Sequence, residues 1–283
     1  MTLRPRRSAL FLPASNARAI EKARGLPCDV VILDLEDAVA PAQKVAARDA
    51  AVAAVRAGGF GARELVVRVN GSDTEWGAGD LAALGRSGVA AVLLPKVGDA
   101  DTLHRARARL GDGPALWAMI ESCDGVLALR EIAAAAPATG LAALVIGPND
   151  LARELRCRPG ADRAPLWPIL GQVVLAARAA GLVALDGVIN TLDDLDAIAA
   201  ECRQGRDWGF DGKTLIHPAQ IAPANDAFGP TAAEIAAACV LADAFIGRED
   251  DGAIRIDGRM VERLHLEAAR RTLALAEAIA ARN

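Results

Sequence analysis

Val30-Val31-Ile32-Leu33 runs directly into Asp34-Leu35-Glu36-Asp37, a branched apolar stretch that ends in three carboxylates. A strand covered on both faces reads as an unbroken apolar run, the pattern of a parallel sheet flanked by helices. Charge at the C-terminal end of such a strand lies where an α/β barrel keeps its chemistry. The same order recurs at Leu65-Val66-Val67 into Arg68-Val69-Asn70, at Val92-Leu93-Leu94-Pro95 into Lys96, at Trp117-Ala118-Met119-Ile120 into Glu121, and at Leu144-Val145-Ile146-Gly147 ahead of Asp150.

Working outward, eight apolar runs predict strands at 9–13, 30–35, 65–69, 91–95, 116–120, 143–146, 182–186 and 212–216. Between them a 3.6-residue period predicts helices such as 17–24, 43–57, 102–110, 126–134, 166–180 and 191–203. This alternation predicts an α/β fold, a TIM (β/α)8 barrel, and 283 residues suit the roughly 250 such a barrel takes. An open dinucleotide-binding sheet would carry Gly-x-Gly-x-x-Gly after its first strand, and none is present. The alternation stops near Gln220, so residues 1–220 are expected to form the barrel and 221–283 a C-terminal helical extension. That extension reads as an amphipathic helix at 231–246 with Thr231 as its N-cap, a short strand at 253–256, and a last helix at 260–281. Asp250-Asp251-Gly252 and Asp257-Gly258 are the turn signals around the strand. The extension is long enough to pack on its own barrel or on a neighbouring subunit.

Composition excludes several functions. A net charge of −4 lacks the basic footprint that nucleic acid requires. The apolar stretches read as shorter than the ~20 residues of a membrane helix, so no membrane partner is expected. Arg4, Arg6 and Arg7 precede only a short apolar segment broken by Pro13, which reads as a first strand rather than a secretory leader. The five cysteines are scattered without Cys-x-x-Cys spacing, which points to reduced thiols in a cytoplasmic protein and away from structural zinc. With no tyrosine in the chain, no step can use a phenol.

The strand-end residues carry the expected chemistry. Glu121 and Asp150 follow consecutive strands, and two carboxylates with room for water suit Mg2+, which keeps several waters. Asp150 serves equally well as a cap of the following helix. Arg68 presents a planar fork to a carboxylate or oxyanion, or else pairs with Asp34, Glu36 or Asp37 on the adjacent strand. Lys96 stands as a cationic neighbour of the metal site, a rim ion pair or, less simply, a Schiff-base amine. His217 sits just past the last strand, where it either contacts substrate or makes a structural hydrogen bond.

These pieces occur in a recognisable order: Arg7-Ser8-Ala9-Leu10-Phe11-Leu12-Pro13, Asp34-Leu35-Glu36-Asp37-Ala38-Val39, Val67-Arg68-Val69-Asn70, Pro95-Lys96, Ile120-Glu121, Gly147-Pro148-Asn149-Asp150-Leu151 and Gly212-Lys213-Thr214-Leu215-Ile216-His217-Pro218-Ala219-Gln220. The order resembles the citrate lyase β-subunit-like (CitE-like) branch of the HpcH/HpaI aldolase/citrate lyase family, from about Arg7 to Leu273. The resemblance implies a homotrimeric TIM barrel with Mg2+ on Glu121 and Asp150. It implies that Arg68, with Glu121 and Lys96 beside it, binds substrate. The implied reaction is Mg2+-dependent carbon–carbon cleavage of a short 3-hydroxy-carboxyacyl thioester, of citryl, malyl or citramalyl type. The thioester is carried on CoA or an acyl-carrier protein, and the products are a keto acid and an acyl thioester. The alternatives are hydrolysis of a malyl- or citramalyl-type thioester and a carrier-dependent β subunit that is inert alone. Thioester-active relatives carry Asp in an Asp-Gly-x-Met-Ile/Val-Asp motif that reaches a neighbour's site. This chain reads Asp257-Gly258-Arg259-Met260-Val261-Glu262, so Glu262 stands in that place as candidate acid or base, with Glu36 and Asp37 as alternatives. Lys44 and Arg48 are candidates for CoA contacts.

Overall fold

The structure is a computed structural model that describes residues 3–248, 251–256 and 259–282. Eight parallel strands close into a barrel in sequence order: β1 (Ser8–Pro13), β2 (Val30–Asp34), β3 (Glu64–Arg68), β4 (Ala91–Leu94), β5 (Ala115–Ile120), β6 (Leu141–Ile146), β7 (Val183–Asp186) and β8 (Gly212–Leu215). Closure is the pairing of β1 with β8, Ser8 opposite Lys213 and Leu10 opposite Leu215. The TIM-barrel expectation therefore holds. Alternate side chains fill the interior: Ala9, Val30 and Ile32, Val66, Ala91 and Leu93, Trp117 and Met119, Ala143 and Val145, and Leu185 form one buried cluster. That parity matters for the site, because two residues beyond Ile32, Val66 and Met119 come Asp34, Arg68 and Glu121.

Helices follow each strand. Side-chain caps start several of them: Asn16 Oδ1 accepts from Ala19 N at 3.0 Å and Asp194 Oδ1 from Ala197 N at 2.9 Å. Asp194 places that helix at Leu195–Asp207, later than the expected 191–203. Gly77–Leu84 is the helix between β3 and β4, which the alternation requires but no clear period delimits. Its glycines disfavour helix in isolation. A Cβ on Gly77 would lie 2.3 Å from the Gly71 carbonyl, so close backbone packing explains the residue. The predicted helix 126–134 is divided into Cys123–Leu127 and Leu129–Ala134.

Two compact units emerge, Arg6–Asn225 and a second formed by 1–5 with 226–283. In the second, helix Ala232–Ala244 packs on helix Arg263–Ala280. Thr231 caps the first helix, its Oγ1 accepting from Glu234 N at 3.2 Å. Most of that helix is exposed, so it lacks the clear buried face of an amphipathic one. Strands β9 (Ala253–Ile256) and β10 (Arg259–Glu262) pair antiparallel, and Phe245, Ile254 and Leu266 make a small core. The expected last helix thus begins only at Arg263. Asp250 and the Asp257-Gly258 turn signal lie outside the described residues.

One expectation needs correction. Residues 218–244 have the length of a membrane-crossing segment, and a stretch of 18 residues within them has a mean hydropathy of 1.2. Gly229-Pro230 divides them into helices Ile221–Phe228 and Ala232–Ala244, because proline cannot donate to a helical ladder and disfavours helix before it.

Candidate active site

Register builds the first part of the site. Asp34 and Arg68 are Cα partners on β2 and β3, so their side chains leave the same face of the barrel mouth. Arg68 Nε and Nη2 each donate to an Asp34 oxygen at 2.7 Å, a bidentate fork. Nη1 lies 3.1 Å from Glu36 Oε2 and 3.4 Å from Asp37 Oδ2, and the guanidinium stacks 4.8 Å from the Phe11 ring centroid. Burial opposes its charge, yet the hydrogen bonds and charge of Asp34, then Glu36 and Asp37, hold its pKa above the ordinary value. The structural ion pair anticipated for Arg68 is formed.

Glu121, one residue past β5, continues the strand's interior parity and is 2% exposed. Its Oε1 accepts from the Lys96 backbone N–H at 2.7 Å. Lys96 itself lies in the left-handed region at φ 49°, a conformation non-glycine residues adopt rarely. Burial, and then the charge of Glu36, push the Glu121 carboxyl up to about 7. Lys96 Nζ bonds Glu36 Oε1. Burial lowers the Lys96 pKa, but the Glu36 hydrogen bond and charge outweigh it and hold the ammonium above its ordinary value, contrary to what a Schiff-base amine needs. Glu36 itself is raised by burial, partly offset by Arg68 and Lys96. Its Oε2 is buried and makes only the charge contact to Arg68, with no hydrogen bond of good geometry. Gly147 makes room for Glu121: a Cβ there would lie 2.5 Å from both Glu121 Cβ and Oε2.

These residues open on a cavity of about 420 Å3 at the C-terminal ends of the strands. Asp34, Asp37, Arg68, Glu121 and Asp150 line it, with Phe11, Met119 and Ile146 as apolar wall and Asn149 and Asn190 opposite. Asp150 sits in the first turn of helix Pro148–Leu155, and its Oδ1 accepts from Arg153 Nη2 at 2.7 Å. Around the mouth Asp34, Glu36, Asp37 and Glu121 face, among the described residues, only Arg68 and Lys96 as cations. Excess negative charge, with a buried and poorly solvated carboxylate at its centre, fits a divalent cation. No three His, Cys, Asp or Glu side chains form a cage among the described residues. The fit is therefore to a hard ion that takes two carboxylates, Glu121 and Asp150, and fills its other positions with water or substrate oxygens.

Residues 7–218 match the model of the HpcH/HpaI aldolase/citrate lyase family. The chain belongs to that family. Its relatives include (3S)-malyl-CoA thioesterase of Cereibacter sphaeroides (strain ATCC 17025 / ATH 2.4.3), 49% identical over 98% of this chain and 96% of the relative. Citrate lyase subunit beta of Escherichia coli (strain K12) is 33% identical over 97% of this chain and 94% of that one. Among solved structures, protein CitE from Mycobacterium tuberculosis in complex with magnesium, acetoacetate and coenzyme A superimposes with a TM-score of 0.80. It is 32% identical, and the match covers 98% of this chain and 100% of that one. The CitE-like resemblance within the HpcH/HpaI family is thus established.

Of the remaining residues singled out in this HpcH/HpaI chain, Lys44 is no surface cation. It is buried, and its Nζ donates to the carbonyls of Leu35 at 2.8 Å and Glu36 at 2.7 Å, 5.5 Å from the Trp76 ring centroid. It pins the acidic loop and is not free to meet CoA. Arg48 lies 3.8 Å from Asp80. His217 makes a structural bond, Nδ1 accepting from Ala219 N at 3.2 Å. Glu262, in the second unit, is exposed and N-caps helix Arg263–Ala280, its backbone N–H donating to His265 Nδ1 at 3.0 Å. Sequence reading gave no role to Asn149 and Asn190, which donate to each other's Oδ1 at 3.2 and 2.9 Å. Asn149 sits beside Asp150 in a strand-end motif, a usable signal; Asn190 lies in a loop with none.

Proposed function

We propose that this protein hydrolyses the CoA thioester of a short 3-hydroxy dicarboxylic acid of malyl type, with Mg2+ as cofactor. The observation that carries this reading is 49% identity over 98% of the chain to (3S)-malyl-CoA thioesterase, against 33% to citrate lyase subunit beta. Mg2+ is supported by the magnesium in the CitE complex and by the carboxylate-rich mouth. Glu121 and Asp150 would hold it, and it would supply Lewis-acid polarisation and orientation of substrate oxygens. Arg68, buried and permanently charged, steadies negative charge near the reacting carbon and holds the acidic loop in register. Asp37, its side chain 61% exposed at the cavity wall, is the candidate base. In hydrolysis it takes a proton as a water oxygen bonds to the thioester carbon. Collapse of the resulting oxyanion then breaks the C–S bond, and the departing thiolate takes the proton back.

A second reading is the carbon–carbon lyase reaction, favoured by the citrate lyase β relatives and by the family's own aldolase/citrate lyase description. There the base takes the hydroxyl proton, the C–C pair passes to the α-carbon as an enolate, and that carbon is then protonated. A carrier-dependent β subunit remains a variant of it. The working form proposed is a cytoplasmic homotrimer in which Glu262 serves a neighbouring copy's cavity.

The test is product analysis on malyl-CoA, citramalyl-CoA and citryl-CoA with Mg2+ and with EDTA. Free thiol without keto acid, abolished by EDTA, establishes the hydrolase. Stoichiometric keto acid without free thiol establishes the lyase instead. Turnover undiminished by EDTA removes the metal.

A further inference from the structure

We propose that Lys44 is a positioning residue for the reaction: through the Leu35 and Glu36 carbonyls it fixes the acidic loop that carries Glu36 and Asp37 to the cavity mouth. This rests on the thioester reading above, but not on the choice between hydrolase and lyase. Both routes need a base at the mouth, and Asp37 is the candidate for it.

The first support is how the loop after β2 is held, by charge of both signs. Its N–H groups go to Asp34: Glu36 N donates to Oδ1 at 2.9 Å and Ala38 N to Oδ2 at 3.1 Å. Arg68 closes its fork on the same two oxygens. The loop's carbonyls go to Lys44, whose Nζ donates to Leu35 O at 2.8 Å and to Glu36 O at 2.7 Å. Backbone bonds add Leu35 N to Arg68 O at 2.9 Å and Val39 N to Glu36 O at 3.0 Å. Two functional side chains ride on this segment. Asp37 Oδ2 lies 3.4 Å from Arg68 Nη1, and Glu36 Oε1 accepts from Lys96 Nζ. A loop released on its carbonyl side would therefore carry Asp37 away from Arg68 and Glu36 away from Lys96.

The second support is that a lysine is a costly choice at this position. Lys44 is 6% exposed, and a buried ammonium gives up its hydration. It is also the first residue of helix Lys44–Ala57, where the helix dipole disfavours a cation. Neither burial nor helix formation accounts for it, and local rules are broken in this way at functional sites. The next helix supplies its surroundings. The Trp76 ring centroid lies 5.5 Å from Nζ, within cation–π range. Asp80 is 1% exposed, within electrostatic reach of Lys44, and its Oδ1 is buried without a hydrogen bond. Asp80 Oδ2 in turn accepts from Asn70 N at 3.0 Å and Asn70 Nδ2 at 2.7 Å, two residues past Arg68. One polar layer thus braces the chain just beyond both members of the Asp34–Arg68 fork, with Lys44 on the Asp34 side.

The experiment compares wild type with Lys44→Met, which keeps the apolar stem and removes the ammonium, in two readouts. The first is amide hydrogen exchange over residues 35–39, followed by mass spectrometry. The second is kcat and KM on the thioester that wild type turns over. Lys44→Met should exchange roughly tenfold faster in the loop, with strands β6 to β8 unchanged. Its kcat should fall by about 100-fold, the cost of an ångström-scale displacement, with KM within a few-fold. Lys44→Gln carries the same test if Lys44→Met does not fold. Failure of both to fold overturns the proposal, because Lys44 would then serve the barrel and not the loop. Unchanged exchange in the loop overturns it whatever the activity. So does a kcat within about threefold of wild type, or a loss confined to KM, which would return Lys44 to CoA binding. Wild type inert on every thioester overturns the proposed function alone, and exchange in the loop still decides the clamp.

Discussion

Glu121 concentrates the conflict on which this site is built. Continuing the interior-facing series of β5 one residue past its end, it enters a buried place whose nearest charge includes another carboxylate, and its pKa rises to about 7. A raised carboxylate pKa favours the folded state while protonated, and that advantage is lost as pH climbs from the unfolded value near 4.5 through 7. Without metal, the charged form therefore weighs against folding above pH 7, on the order of 3 kcal/mol at most. Glu121→Gln should raise the melting temperature of the metal-free protein at pH 8 and leave it nearly unchanged at pH 5, while abolishing Mg2+ binding. Equal effects at both pH values would show that charge is not the cause. In the wild type, Mg2+ must displace a proton, so its affinity should fall tenfold per pH unit below 7. Isothermal titration across pH 5.5–8 reads that slope. Gly147 belongs to the same argument: Gly147→Ala puts a methyl 2.5 Å from Glu121 Cβ. Displacing the carboxylate should lower kcat by ~100-fold, with a stability loss of about 1–3 kcal/mol by denaturant titration.

At the scale of elements, two cross-strand ion pairs do different work. Asp34 and Arg68 point into the mouth of the barrel, whereas Asp186 and Lys213, also register partners, are fully buried on the opposite parity from Leu185. Lys213 Nζ reaches Asp186 at 2.9 Å and Glu201, on helix Leu195–Asp207, at 2.7 Å, and it also bonds the Gly187 carbonyl. Arg163 adds a 2.8 Å contact to Asp186. Burial acts to raise the Asp186 pKa, but Lys213 and Arg163 overcome it and hold the carboxyl below its usual range. Its stabilising share is therefore present above the unfolded pKa and lost only as pH falls through the lowered one. Lys213→Met should destabilise the barrel by about 3–5 kcal/mol, because a buried carboxylate loses its partner. Urea unfolding at neutral pH measures it. Lys213 was legible only as a letter in a motif; no spacing rule shows that a lysine points inward to helices rather than outward to solvent.

For the whole molecule, the second unit leaves Val240, Ile246, Met260 and Leu264 exposed. In the homotrimer proposed above, Glu262 of one copy completes the cavity of the next. Mixing inactive Glu121→Gln and Glu262→Gln proteins should then restore part of the activity, as mixed oligomers contain some intact cavities. Recovery that never exceeds the sum of the two parents would leave Glu262 as a helix cap alone.

The sequence by itself determined the barrel, its strand order and the level of the site, because buried parallel strands must be apolar and the charges that end them are conspicuous. It also placed Glu121, Asp150, Arg68 and the acidic trio at one rim, since consecutive strands are neighbours in a barrel. Only the tertiary structure decided what those charges do to one another. Arg68 is shared among three carboxylates, Lys96 bonds Glu36, and Lys44 turns inward to hold two carbonyls. Pairing of Asn149 with Asn190, and the bonds of Gln220 to the Ile189 and Thr191 carbonyls, join residues distant in sequence through loops with no periodicity. Periodicity reports which face of an element is buried; which donor meets which acceptor depends on distances that exist only after the chain has closed.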